Sequence, residues 1–255
     1  MPAWSPGGSW ARACSHSRLH SCWHGQRTPL VSSSASMPRK QLSLVLYQDV
    51  FCAWSHLAEL RLTALQNELG EAVRLSISPY PVRVADHPLT SEERRSWADE
   101  SRQARAEPEG RNLRPDLWLG LDPPRSTLPP LLALEAAAVQ GEERRQLFCR
   151  SMLRAALEEG INVARSDVIL EMASTAGLEM DRFVACYQSP ALRRLILEER
   201  RLARARGVNG VPTLVIAGRW MISGLREVAE YRRYLVMCMR KLSSERGSQP
   251  ERVLH

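Results

Sequence analysis

Apolar and polar positions alternate with different periods along the chain, and these periods predict its elements. Residues 42–47 form a short, largely apolar run of strand length, typical of a strand buried on both faces. From Ser55 the apolar positions take the spacing of an amphipathic helix that stops at Gly70. Residues 73–78 alternate strictly and predict a second strand, which ends at Pro79. This order predicts a βαβ arm with parallel strands and a right-handed crossover.

The middle of the chain, residues 79–206, shows almost no strand pattern and predicts an all-helical block. Its expected helices cover 91–106, 131–140, 142–158, a helix capped by Ser166, a helix capped by Asp181, and 191–206. Strand patterns return at 211–217 and 219–222, and a final helix is expected from about Ser223. The second arm is therefore ββα.

Two terminal segments differ from the rest. Residues 1–36 contain arginines but no acid and have no periodicity, so they predict a disordered leader or a mis-assigned start, with an organellar targeting segment as the alternative. Residues 243–255 are polar and predict a flexible tail. The leader carries a thiol and imidazole cluster of unusual spacing, for which we predict no metal site: Cys14, His16, His20, Cys22 and His24.

Composition excludes several classes of function. With 44% apolar residues the chain can bury a core, and its net charge of +7 comes from arginines placed beside glutamates, as on solvated helix faces. No basic stripe predicts a nucleic-acid partner, and no apolar run predicts a membrane span. The six cysteines include no CxxC pair, so no disulfide framework is expected and a reducing, cytoplasmic compartment is predicted.

Cys52 is the clearest candidate for a chemically reactive residue. It lies where the first strand passes into the first helix, and a thiol there faces unpaired backbone N–H groups and the positive end of the helix dipole. Both effects favour the thiolate, so we expect a lowered pKa and a nucleophilic sulfur. His56 could add to this effect if it carried a charge. The alternative is a buried cysteine that only fills space.

The segment 49–56, with Cys52 followed by Ala53, Trp54 and Ser55, resembles the active-site segment of the FrnE-like group in the DsbA-like branch of the thioredoxin superfamily. The resemblance covers about residues 41–241. It implies an α/β, thioredoxin-like fold formed by residues 41–78 and 207–241, with residues 79–206 as a helical insertion. It also implies a thiol–disulfide oxidoreductase.

A second motif supports the resemblance. Residues 210–213, Gly-Val-Pro-Thr, match the cis-proline loop of the superfamily. The resemblance implies that Val211 and Pro212 face the cysteine and bind substrate, with the backbone of Val211 pairing with an extended peptide or with glutathione. A trans proline at the first residue of a strand is the alternative. Trp54 is expected to shield the sulfur or to pack at the start of the helix.

The motif departs from the family at Ser55, where a second cysteine is usual. The resolving thiol is then missing, and Cys52 must act as a monothiol with an external thiol as co-reactant. Ser55 is expected to hydrogen-bond the Cys52 thiolate or to cap the first turn. The other cysteines outside the leader, Cys149, Cys186 and Cys238, are expected in the core.

Three functions follow from these features. The first is a DsbA-like oxidoreductase that acts on a disulfide-containing protein or a small-molecule thiol, with no tightly bound cofactor and with glutathione as candidate co-substrate. The second is a glutathione-dependent transferase or isomerase, similar to the kappa-class and chromene-carboxylate isomerase relatives, in which serine usually occupies the motif position. The third is a non-catalytic binding module.

Overall fold

The computed structural model of the protein describes residues 41–247. The leader, with its predicted thiol and imidazole cluster, and residues 248–255 lie outside the described part. Thirteen α-helices and β-strands follow one another in the described part: β1 (Leu42–Gln48), α1 (Ala53–Leu69), β2 (Val73–Pro79), α2 (Ser91–Arg105), α3 (Asp116–Leu119), α4 (Leu128–Ala138), α5 (Glu142–Leu157), α6 (Ser166–Thr175), α7 (Met180–Tyr187), α8 (Pro190–Ala205), β3 (Thr213–Ile216), β4 (Trp220–Ser223) and α9 (Val228–Gly247).

The four strands form one sheet in the order β2, β1, β3, β4. β1 and β2 are parallel, with Leu44 opposite Leu75, whereas β3 is antiparallel to both β1 and β4. The predicted α/β fold is therefore confirmed: a βαβ arm and a ββα arm share one sheet, and the helices between them form the insertion.

Each face of the sheet is covered by helices. Leu44 and Leu46 of β1 are buried against α1 and α9, in a cluster that includes Leu62 and Leu235. On the other face Tyr47 packs in a separate cluster with residues of the β2 end and of α8: Tyr80, Ala203 and Val208. Because both faces are buried, β1 is apolar at nearly every position, as its sequence indicates.

The insertion has its own core, which reaches the start of α1. Nine of the eleven residues of α4 are buried, so this helix is central to the insertion. The same cluster continues through Trp118 to Phe51 and Leu57, and the rings of Phe51 and Trp118 meet edge to face at 5.8 Å. The loop between β1 and α1 therefore lies where the insertion core meets the sheet.

Some boundaries differ from the sequence-based expectation. α9 begins at Val228 because Ser223 still pairs with Thr213 in the sheet. It continues to Gly247, past the predicted start of the tail at residue 243, and the hydroxyl of Ser243 donates to the carbonyl of Met239. The cap residues of α6 and α7 are Arg165 and Glu179, one and two positions earlier than predicted.

No helix of the described residues is both long enough and apolar enough to cross a bilayer.

Candidate active site

Cys52 is the N-cap residue of α1, as the sequence predicts. Its backbone is extended, with φ of −89° and ψ of 107°, and its N–H donates to the carbonyl of Asp49 at 3.1 Å. The carbonyl of Cys52 in turn accepts from the N–H groups of Ser55 and His56. The residue is only 4% exposed, so its sulfur lies beneath the surface rather than on it.

The structure brings Cys52 together with the loop before β3. The Val211–Pro212 peptide bond is cis, as predicted, and the Sγ of Cys52 donates to the carbonyl oxygen of Val211 at 3.8 Å. This loop is fixed on both sides: the hydroxyl of Thr213 donates to the carbonyl of Gly210 at 2.7 Å, and the N–H of Gly224 donates to the carbonyl of Pro212 at 2.8 Å. The sulfur and the proline loop thus form one site from the two arms.

The predicted lowered pKa of Cys52 is wrong for this structure. Burial raises the pKa of the thiol to about 12, and the nearby carboxylates of Asp49 and Glu100 raise it further, while the hydroxyl and N–H of Ser55 lower it. The sequence argument counted the helix N-terminus but omitted the cost of burying a thiolate away from water. Cys52 therefore rests as a neutral thiol, and its reaction requires that a proton be removed.

Ser55 lies in the first turn of α1, three residues after Cys52, and is completely buried. Its Oγ has no hydrogen-bond partner among the described residues, yet the hydroxyl is one of the two groups that lower the pKa of Cys52. In the neutral state the thiol donates its hydrogen bond to the carbonyl of Val211. A thiolate has no proton to donate and would instead accept a hydrogen bond from the Ser55 hydroxyl. The Ser55 hydroxyl is therefore placed to donate a hydrogen bond to the Cys52 thiolate.

Two neighbours of the motif take other roles. Trp54 is partly buried and packs against the insertion core, in line with packing at the start of the helix. His56 is also partly buried, and desolvation lowers its pKa, so the ring is neutral near pH 7. A neutral ring offers no positive charge to the cysteine, and His56 is not among the groups that shift the pKa of Cys52.

Asp49 is a site residue that the sequence analysis did not select. Its Oδ1 accepts from the N–H of Phe51 at 3.0 Å and its Oδ2 from the N–H of Val82 at 2.8 Å, so it holds the β1–α1 loop against the insertion. Burial raises its pKa to about 6, and hydrogen bonds from Thr127, Val82 and Phe51 oppose the rise. The sequence feature that could have identified Asp49 is its position as an acidic residue immediately after an apolar strand.

The raised pKa of Asp49 predicts a pH-dependent stability. The folded state binds this proton more tightly than the unfolded chain, so the stabilisation is complete below pH 3.8 and is lost as the pH rises through about 6. The change corresponds to about 3 kcal/mol. As the pH rises through this range, the unfolding free energy of Asp49→Asn should therefore increase relative to that of wild type. Urea unfolding at several pH values measures it, and a pH-independent difference would contradict the assignment.

The other cysteines of the described residues lie in the core, as predicted. Cys149 and Cys186 belong to the insertion core, and Cys238 belongs to the cluster beneath the sheet. Burial raises the pKa of the Cys149 thiol to about 12, as it does for Cys52, but Cys149 lies in the insertion core rather than beside the proline loop. Within residues 41–247 no group of three or more histidine, cysteine or acidic side chains is placed to hold a metal ion.

A buried cysteine at the start of the first helix, facing a cis-proline loop across a four-stranded mixed sheet, defines a thioredoxin-type protein. A family model for the DSBA-like thioredoxin domain matches residues 43–236. The chain therefore belongs to the family of DsbA-like thioredoxin domains, and its fold is the thioredoxin-like fold that the sequence predicts.

Solved structures agree on the fold. A protein from Nitrosomonas europaea, assigned as a protein disulfide isomerase, superposes with a TM-score of 0.67 at 18% identity, covering 79% of this chain and 99% of that one. The cytosolic disulfide reductase DsbM from Pseudomonas aeruginosa, solved with GSH, gives a TM-score of 0.59 at 23% identity, covering 78% and 99%.

A curated relative matches over a shorter region. The ClpXP adapter protein SpxH of Shouchella clausii is 30% identical over 84 residues, which are 33% of this chain and 28% of that protein. The chain thus matches less than a third of the length of this relative.

Proposed function

We propose that the protein catalyses thiol–disulfide exchange with Cys52 as its single nucleophile. The observation that carries the proposal is the position of the Cys52 sulfur, at the start of α1 and against the carbonyl of Val211. Ser55 stands where a second cysteine is usual. Membership of the DsbA-like family supports the same reaction class.

The exchange proceeds in two steps. Cys52 loses its proton and attacks one sulfur of a disulfide, so that a new S–S bond forms at Cys52 and the other sulfur leaves with the electron pair of the broken bond. An external thiol then attacks the mixed disulfide, and the Cys52 sulfur leaves and regains a proton. The hydroxyl of Ser55 donates to the Cys52 sulfur in each anionic state, which lowers the cost of a buried thiolate.

The external thiol is needed because Ser55 cannot act as a resolving group. Glutathione is the co-substrate we propose, and the similarity of the fold to DsbM, which was solved with GSH, supports it. The disulfide partner is a protein whose backbone pairs with Val211 beside Pro212, or a small-molecule disulfide bound at the same loop. We further propose a cytoplasmic location, a place in the FrnE-like group and no tightly bound cofactor.

Cys52→Ser tests the proposal. Reduced wild-type protein incubated with oxidised glutathione should gain a glutathione on Cys52, located by peptide mass spectrometry. In the variant the rate of glutathione addition to the described residues should fall at least about 1000-fold, because the other described thiols are buried in the hydrophobic cores. Cys238→Ser, which replaces a buried thiol beneath the sheet, is the matched control and should react like wild type.

Two outcomes would contradict the proposal. Wild-type protein that forms no adduct on Cys52 would leave the binding module as the better description. A Cys52→Ser variant that still conjugates glutathione to an electrophile would favour the transferase, with a hydroxyl as the activating group.

A further inference from the structure

Arginines without a carboxylate partner border the proline loop. The last two turns of α8 and its C-cap residue contain no acid but four arginines: Arg200, Arg201, Arg204 and Arg206. Arg201 pairs with Glu198 at 2.7 Å, and in the described part of the chain no carboxylate forms an ion pair with the other three. Arg204 and Arg206 are exposed, so the end of α8 presents unneutralised positive charge to solvent.

Contacts of Arg200 fix the end of α8 beside the proline loop. The Nε of Arg200 donates to the carbonyl of Pro81 at 2.7 Å, and its guanidinium lies over the ring of Tyr80, 5.4 Å from the ring centroid. The hydroxyl of Tyr80 donates to the carbonyl of Val208 at 3.1 Å, and Val211 packs against the same cluster. Arg200 is therefore tied to the segment that leads into the cis peptide bond.

The two exposed arginines lie within reach of a peptide bound at this loop. Arg206 precedes Val211 by five residues, so their Cα atoms are at most about 18 Å apart. An extended peptide covers this distance in about five residues. Side chains within about five positions of the partner's cysteine can therefore meet Arg204 and Arg206.

The surface around the end of α8 is also partly apolar. Val82 and Met221 are 37% and 38% exposed, and the terminal methyl of Met221 lies 3.9 Å from the position of a Cβ on Gly207. Tyr80 is buried beneath Arg200 and offers no free ring on which a nucleic-acid base could stack. Positive charge beside exposed apolar side chains suits a peptide better than a nucleic acid.

We propose that the end of α8 binds an acidic segment of the protein whose disulfide reacts with Cys52. This inference rests on the proposed exchange reaction and names its substrate class. Arg204 and Arg206 pair with carboxylates near the partner's cysteine, while Arg200 holds the helix against the loop. Acids at the cysteine itself are unfavourable, because Glu100 already places negative charge near the Cys52 sulfur.

Two symmetrical peptide disulfides test the inference, one with aspartates flanking the cysteine and one with asparagines at the same positions. The second-order rate of adduct formation on Cys52 is followed by mass spectrometry. At low ionic strength the double variant Arg204→Gln/Arg206→Gln should react about tenfold more slowly than wild type with the acidic peptide. Its rate with the neutral peptide should equal that of wild type, which shows that the site is intact. The loss should shrink at about 0.5 M salt, because exposed charges are then screened.

Arg182→Gln/Arg193→Gln is the matched control. It removes the same charge from two exposed arginines of α7 and of the first turn of α8. Arg193 lies about 16 Å from Arg204 along the helix axis, away from the proline loop. This variant should react with both peptides like wild type.

An acidic-peptide rate that is unchanged in Arg204→Gln/Arg206→Gln, or that falls equally in the control variant, would overturn the inference while leaving the exchange reaction intact. Binding of a single-stranded RNA that this double variant loses, with unchanged peptide rates, would assign the surface to a nucleic acid and overturn it as well. Wild-type protein that forms no adduct on Cys52 with either peptide would instead overturn the exchange reaction itself, and the inference with it.

Discussion

Ser55→Cys is expected to shorten the lifetime of a glutathione mixed disulfide on Cys52 by about 1000-fold or more relative to release by millimolar external thiol. A thiol at this position attacks within the molecule, and well-oriented intramolecular groups react at effective concentrations far above those of a free reagent. The N–H of Ser55 donates to the carbonyl of Cys52 at 3.0 Å, so the new sulfur would stand in the same first turn. Because the Oγ of Ser55 has no partner, the substitution removes no hydrogen bond.

The lifetime is measured by loading Cys52 with glutathione and following the loss of the adduct by mass spectrometry after removal of free thiol. Ser55→Ala is the matched control, since it lacks both the hydroxyl and the thiol. It should hold its adduct as long as wild type but form it more slowly, because the donor to the thiolate is gone. An equally long-lived adduct in Ser55→Cys would show that the two sulfurs cannot meet, and that the serine is not the reason for monothiol behaviour.

The fold could be predicted because its elements have distinct periods. The run 42–47 predicts β1 within one residue, since a strand buried on both faces must be apolar nearly throughout. The break at Gly70 ends α1, and Gly70 has a positive φ of 55°, a conformation that glycine adopts without strain. The two ends of α9 were predicted less accurately. Its start depends on the pairing of Ser223 with Thr213 in the sheet, and its end depends on the hydrogen bond from Ser243 to Met239 in the preceding turn.

The sequence predicted where the site residues lie but not the raised pKa of Cys52. Element order placed Cys52 at a helix start, and the resemblance to the DsbA-like family implied that Val211 and Pro212 lie opposite it. The raised pKa of Cys52 depends on how completely the sulfur is buried, and contacts with segments far along the chain, such as the Val211 loop, leave no local signal.

Arg61→Met is expected to lower the free energy of unfolding by about 3 kcal/mol. The guanidinium of Arg61 is 2% exposed, and it donates to Glu107 at 2.6 Å, to Glu109 at 2.9 Å and to the carbonyl of Arg226 at 3.0 Å. It thereby joins α1 to the insertion and to the segment before α9. Methionine keeps much of the apolar stem, so the loss reports the charge and hydrogen bonds. The two glutamates are about one-third exposed and regain some hydration, which places the estimate at the low end of the range for buried pairs.

Urea unfolding of wild type and variant at several pH values measures the effect and its electrostatic origin. Arg61 lowers the pKa of Glu109, so its contribution is present above the ordinary glutamate pKa of 4.5 and is lost as the pH falls through the lower value of the folded state. The gap between wild type and Arg61→Met should therefore narrow in acid. Arg232→Met, which breaks an exposed pair between α9 and Glu68 of α1, is the matched control and should cost little. A gap that does not change with pH would mean that Arg61 stabilises the protein through packing of its stem, and a loss no larger than that of Arg232→Met would mean that the insertion is held to α1 by its apolar core alone.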